Sequence, residues 1–171
     1  MKMNVMMNFV KERHGKQTRK QGTPYYLHPF AVAEILKSKG FGEDYQFAGL
    51  GHDLLEDTKT TYEEILNLAN EKIAKAIVLV TKEENYNMEE YINRINQNEI
   101  AKAVKLADRL HNLSEAHVAS IKWIEKYILE TKTWYLDMAK DTPFEKELLE
   151  LVKSLEKQIR DEKNKQRKKE N

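Results

Sequence analysis

The segment GLGHDLLEDT, Gly49 to Thr58, sets His52 beside Asp53 and, four residues on, Glu56 beside Asp57. Imidazole and carboxylate are the side chains that hold divalent ions and move protons in water-activating sites. Here they interrupt an apolar segment carrying Leu50, Leu54 and Leu55. Neighbours on a helix point about 100° apart, so His52 and Asp53 reach one ion only if it lies over the edge between them. Glu56 follows His52 by four residues, and Asp57 follows Asp53 by four. The second pair therefore stacks one turn along on the same side. Three carboxylates crowded into two turns repel one another unless a cation neutralises them. The competing reading is a solvated acidic patch, with Leu54 and Leu55 facing the core.

Two further segments weigh against the patch. YYLHPF places His28 just before Pro29, at a loop end from which a side chain can project. KLADRLHNL places Asp108 directly after the apolar-stripe residue Ala107, with Lys105 and Asn112 at i−3 and i+4 on the face of Asp108. His28, His52, Asp53 and Asp108 together form a mixed nitrogen and oxygen donor set. Such a set suits Mn, Fe, Co or Zn and leaves positions open for water. Tyr25 is expected to line the pocket and Tyr26 to pack in a turn. His14 and His111 have no role that spacing assigns, and His117 is expected to be exposed. Trp123, Trp134 and Tyr135 read as packing residues beside the core spacing of Ile121, Ile124 and Ile128.

The elements that must position these groups are helices. Ile100, Ala103, Val104, Ala107 and Leu110 form one helical face, as do Phe144, Leu148, Leu151, Val152, Leu155 and Ile159. TTYEEILNLAN carries a capping-box pattern, Thr60 or Thr61 followed by Glu63 or Glu64. AIVLV, Ala76 to Val80, is the one β-like run; it is flanked by helix formers and reads as a buried helix. Gly22, Pro24, Pro29, Gly40, Gly42 and Pro143 punctuate the pattern. The expected fold is all-α, a single-domain helical bundle of about eight or nine helices. It spans residues 1–160, followed by a charged, frayed tail over residues 161–171.

A chain of 171 residues suits one domain. A formal net charge of +1 gives no bulk electrostatic case for nucleic acid or membrane partners. There are no cysteines, which excludes disulfides, thiolate zinc sites and thiol nucleophiles and is compatible with a cytoplasmic setting. The N-terminal apolar run is too short for a signal peptide, and no window reaches the length of a membrane span.

The order of a His, an HD pair and a distant Asp resembles the HD superfamily of metal-dependent phosphohydrolases. GKQTRKQGTPYYLHPFAVAEIL, AGLGHDLLEDTKTTYEEI, LVTK and VKLADRLHNL resemble, in order and spacing, the hydrolase domain of RelA/SpoT-type alarmone enzymes, over roughly residues 10 to 140. The resemblance implies an HD-type bundle that holds a divalent ion, usually Mn²⁺, through His28, His52, Asp53 and Asp108. It implies that Glu56 and Asp57 position and activate the attacking water, and that Arg19 and Lys20 pack around a guanine base. Asn112 would lie near the sugar and phosphate, with Lys105 and Arg109 as phosphate-side cations. By spacing alone, Arg19 and Lys20 read as ordinary surface charges.

The implied reaction removes the 3′-diphosphate of guanosine 3′,5′-bis(diphosphate)-type alarmones, releasing pyrophosphate and GDP or GTP. With the sequence ending at Asn171, the expectation is a stand-alone small alarmone hydrolase whose partner is a small nucleotide. The alternatives are an HD phosphohydrolase acting on another nucleotide or phosphorylated metabolite, and a nucleotide sensor without turnover. The intact Glu56–Asp57 pair argues against the sensor. Ser114 and Glu115 stand where the family commonly has Arg and Thr. An acidic residue near a tetraphosphorylated nucleotide is unfavourable unless it points away. Gly51 stands where the family usually has Leu.

Overall fold

Apolar residues spaced by three and four dominate the sequence, and helices follow from that spacing. The computed structural model describes residues 3–170. Its helices, in chain order, are α1 (Met3–His14), α2 (Leu27–Ser38), α3 (Glu43–Gly51), α4 (Leu54–Asp57), α5 (Tyr62–Leu68), α6 (Glu71–Val80), α7 (Met88–Asn96), α8 (Glu99–Glu115), α9 (Ile121–Glu130), α10 (Leu136–Ala139) and α11 (Glu145–Glu170). α4 and α10 are single turns, so nine helices are longer, and the described residues contain no β-strand. The all-α expectation therefore holds. The AIVLV run lies in α6, where Ala76, Ile77 and Val80 are buried and Val78 is exposed. That is a helical face, not a two-sided strand.

Backbone contacts divide the chain into two compact units, the first ending at Asp108 and the second beginning at Arg109. In the first unit α3 packs against α1, α2 and α6. Two glycines permit this. A Cβ on Gly49 would stand 2.7 Å from Leu36 Cδ1, and one on Gly51 would stand 2.6 Å from Ile77 Cδ1 and 2.9 Å from Met6 Cε. Larger side chains on α1, α2 and α6 occupy the space those Cβ atoms would need, so the helix leading to His52 is seated deep in the core. Three of the following helices are capped at their N-termini, where amides otherwise lack partners. Thr61 and Glu64 form the expected capping box on α5, Asn70 accepts from Ile73 N–H on α6, and Asn87 accepts from Glu90 N–H on α7.

In the second unit, α9 passes through a π-helical turn, Thr131–Tyr135, into α10. α11 packs on α9 and α10. Phe144, Leu148, Val152, Leu155 and Ile159 of the expected stripe are buried, while Leu151 is partly exposed. Trp123 stacks on Tyr127 with ring centroids 4.6 Å apart, a packing contact. α11 continues as helix through the charged segment to Glu170; Asn171, the last residue of the expected tail, lies outside the described residues.

Candidate metal centre and its acidic pair

The HD pair does not sit inside a continuous helix, as its spacing suggested. α3 ends at Gly51, α4 begins at Leu54, and Asp53 between them has φ −99° and ψ −3°. The local cause is a side chain competing with the backbone. His52 Nδ1–H donates to the carbonyl of Gly49 at 2.7 Å, the acceptor that Asp53 N–H would use in an unbroken helix. The same bond fixes the imidazole. With Nδ1 protonated, Nε2 is the atom presented to the site.

His28, the second residue of α2, and Asp108 of α8 meet His52 there. His28 Nε2 lies 3.0 Å from Asp108 Oδ1 and 3.7 Å from Asp53 Oδ2. His52 Nε2 lies 2.9 Å from Asp53 Oδ2 and 3.7 Å from Asp108 Oδ1. One donor atom from each of His28, His52 and Asp108 falls within 4.8 Å of the others, and all three residues are buried. Despite the short approach to Asp53, His52 Nε2 has no hydrogen-bond partner of suitable direction. A buried nitrogen aimed between two carboxylates and bonded to neither is what a divalent ion would satisfy. Two imidazoles and the Asp108 carboxylate fit such an ion, with Asp53 beside them.

Electrostatics agree with that fit. Burial opposes a charged imidazole at His52, yet Asp53 and Asp108 override it and hold its pKa well above the usual range. Burial also opposes ionisation of Asp53, and the His52 imidazole outweighs it, bringing the carboxyl down to about 2. At Asp108, burial is outweighed by Lys105 and by the two histidines, and the pKa falls well below the usual carboxylate value. The cluster thus draws positive charge to itself. A protein-bound cation can take the place of the proton on His52.

The two members of the acidic pair, both in α4, face different elements. Glu56 Oε2 accepts from the backbone N–H of Lys82 at 3.0 Å, just after α6. The Tyr25 hydroxyl lies 2.8 Å from Asp53 Oδ2 and 3.1 Å from Asp57 Oδ2, with one proton to donate between them. Partial burial and the charge of Asp53 raise the pKa of Asp57, and the Tyr25 hydrogen bond partly offsets this. Burial and the same carboxylates push the Tyr25 phenol upward, so it stays a donor.

Spacing assigns no role to His14, which lies against Tyr25 together with Gln17. His14, 1% exposed, stacks on Tyr25 at 4.9 Å and donates from Nδ1 to Gln17 Oε1 at 2.9 Å; Gln17 Nε2 in turn donates to the carbonyl of Asp57 at 2.7 Å. Gln17 lies in the GKQTRK motif, so a signal was present. Arg19 and Lys20 stand on the turn between α1 and α2, which is closed by Arg19 N–H to Thr23 O (2.9 Å), Gly22 N–H to Arg19 O (2.8 Å) and Tyr25 N–H to Gln17 O (2.8 Å). Gly22 takes φ +87° at this turn.

Lys105 is brought to the cluster, where Nζ donates to Asp108 Oδ2 at 2.8 Å. Arg109 differs from the expectation of a phosphate-side cation. It is 2% exposed, pairs with Glu130, and stacks between the rings of Tyr127 and Tyr135 at 4.1 and 3.9 Å, all within the second unit. A residue one position past Asp108 points about 100° away from it. Asn112 is partly exposed on α8, four residues past Asp108. Glu115, the departure from the family pattern, turns its carboxylate to His111 Nε2 at 3.4 Å.

A helical bundle that gathers His28 and Asp108 around a seated HD pair, His52 and Asp53, defines a class. The chain belongs to the HD domain family, whose model matches residues 7–144. Membership implies dependence on a divalent ion. The chain is similar to the guanosine-3′,5′-bis(diphosphate) 3′-pyrophosphohydrolase of Aquifex aeolicus, 37% identical over 139 residues, covering 77% of this chain and 20% of the relative. The chain thus spans about a fifth of that longer protein. It is also similar to the MESH1 hydrolases of Danio rerio, 32% identical over 144 residues, and Xenopus tropicalis, 35% identical over 145 residues, each match covering 78% of this chain and 80% of the relative. A solved structure of a metazoan ortholog of SpoT that hydrolyses ppGpp superposes with a TM-score of 0.78 at 25% identity, over 88% of this chain and 93% of that one. Among the described residues no helix is long and apolar enough to cross a membrane.

Proposed function

We propose that this chain is a cytoplasmic, Mn²⁺-dependent hydrolase of guanosine 3′,5′-bis(diphosphate)-type alarmones. The observation that carries the reading is His52 Nε2, buried, without a hydrogen-bond partner and standing between Asp53 and Asp108. Similarity to the MESH1 hydrolases, along four-fifths of their length, supports the substrate.

His28, His52, Asp53 and Asp108 would hold the ion, which when bound lowers the pKa of a water and screens phosphoryl oxygens. Glu56 accepts the proton of the attacking water, with one carboxylate oxygen held by Lys82 N–H. Asp57, steadied by Tyr25, orients that water. Water oxygen bonds to the phosphorus on the ribose 3′ oxygen, that P–O bond breaks, and the leaving 3′ oxygen takes up the proton released from the water. Arg19 and Lys20, on their closed turn, are proposed to contact the guanine base, and Asn112 the sugar and phosphate.

The test is a panel of nucleotides with Mn²⁺, separating pyrophosphate from orthophosphate. Pyrophosphate with GDP or GTP from the alarmone is expected. Orthophosphate from simple monophosphates, with the alarmone untouched, would overturn the reading, and tight alarmone binding without product would make the chain a sensor.

A further inference from the structure

The segment LVTK carries a family resemblance but no role in the site as described so far. It is the C-terminal end of α6, where carbonyls run out of intrahelical partners. Three consecutive carbonyls there accept from α7. Arg94 Nε donates to Leu79 O at 3.1 Å, the Tyr91 hydroxyl to Val80 O at 2.7 Å, and Arg94 Nη2 to Thr81 O at 2.6 Å. Thr81 turns the chain out of the helix with φ −75° and ψ 128°, and its hydroxyl donates to Ile77 O at 2.8 Å. The next amide, Lys82 N–H, is the one that holds Glu56 Oε2. Tyr91 is 1% exposed, and its ring also stands 5.9 Å from Lys105 Nζ, the ammonium that pairs with Asp108.

We propose that Arg94 and Tyr91 are positioning residues for Glu56, acting through the 79–82 backbone that they clamp. A backbone amide is a useful clamp because it has no rotamers of its own. Once the peptides on its N-terminal side are fixed, its N–H points one way. Lys82 N–H then holds one Glu56 oxygen and leaves Oε1 to take a proton. Without Arg94, the freed carbonyls of Leu79 and Thr81 would seek water, the turn at Thr81 would loosen, and the amide that aims Glu56 would drift. Misplacement of a catalytic group by about 1 Å can cost roughly 100-fold in rate. The inference rests on the role proposed for Glu56.

The competing account is that Arg94 merely caps α6 and affects stability alone. A cycle of variants separates the two. Arg94→Gln, Glu56→Gln and the double variant are purified with Mn²⁺, checked for metal content and melting temperature, and assayed on the alarmone. Arg94→Gln is expected to lower kcat by roughly 10- to 100-fold with KM nearly unchanged, and to cost nothing further in the Glu56→Gln background. An equal loss in both backgrounds, or an unchanged kcat, would overturn the proposal.

Tyr91→Phe, which removes one hydroxyl and keeps the ring, serves if Arg94→Gln does not fold, with a smaller loss of the same pattern expected. Hydrogen exchange at the Lys82 amide needs no turnover. It should accelerate in Arg94→Gln, or in Tyr91→Phe where that variant is used, and in Glu56→Ala. Exchange unchanged in these variants would overturn the proposal even in a protein inactive on the alarmone. Accelerated exchange in such a protein would sustain the clamp and count against the substrate alone.

Discussion

Lys105 and Asp108, one turn apart on α8, form a 2.8 Å ion pair that decides which carboxylate oxygen faces the histidines. Oδ2 is taken by the ammonium, and Oδ1 lies 3.0 Å from His28 Nε2. Groups that orient a ligating carboxylate typically change metal affinity by about 10- to 100-fold when removed. Lys105→Met keeps the aliphatic stem and is expected to weaken Mn²⁺ binding by about that factor, with the fold intact. Titration of metal into the stripped protein measures it.

The raised His52 pKa and the depressed Asp53 and Asp108 values act on stability in opposite directions of pH. A raised imidazole pKa adds stability that is full below about 6.5 and fades as pH climbs through the raised value. Depressed carboxyl values add stability that is full above about 4 and fades as pH falls through them. The cluster is therefore expected to favour the metal-free fold most between about pH 4 and 6.5. Metal binding requires His52 neutral and releases its proton, so the gain in melting temperature on adding Mn²⁺ should grow from about pH 6 to 8.5. Calorimetry with and without the ion tests both trends.

The ligand cluster and the acidic pair should separate by mutation. His52→Ala is expected to lose metal and turnover together. Glu56→Ala should retain metal and lose turnover by about 100- to 10,000-fold. An empty site in Glu56→Ala would show that the division of roles is wrong. Tyr25→Phe removes the hydrogen bond that pulls the Asp57 pKa down, so the acid limb of the pH–rate profile should move to higher pH.

Gly51 makes a packing prediction. Ile77 and Met6 fill the space that a side chain at this position would need. Gly51→Leu is expected to destabilise by about 1–3 kcal/mol through overpacking. Ile77→Ala in the same chain should recover part of the loss. Urea denaturation of the single and double variants measures both.

Much of this molecule is written in its periodicity. The α8 and α11 stripes, the Thr61–Glu64 capping box and the helical AIVLV segment follow from local spacing alone. The break between Gly51 and Leu54 does not, because it depends on which way one imidazole turns to find an acceptor. The surroundings of Arg109 are hidden for a related reason. The resemblance suggests a phosphate-side cation, whereas its contacts in the fold are with Tyr127, Tyr135 and Glu130, distant in sequence. His14 and Arg94 are also invisible to spacing, since each acts through backbone or side-chain neighbours far along the chain.

The closed turn carrying Arg19 and Lys20 bears on how tightly a ligand can be held. Ordering a backbone residue costs about 1–2 kcal/mol in conformational entropy. Three hydrogen bonds between residues 17 and 25 have already restrained this loop in the folded chain. A ligand that met this turn would find its backbone already ordered, so none of that backbone entropy would be lost again on binding.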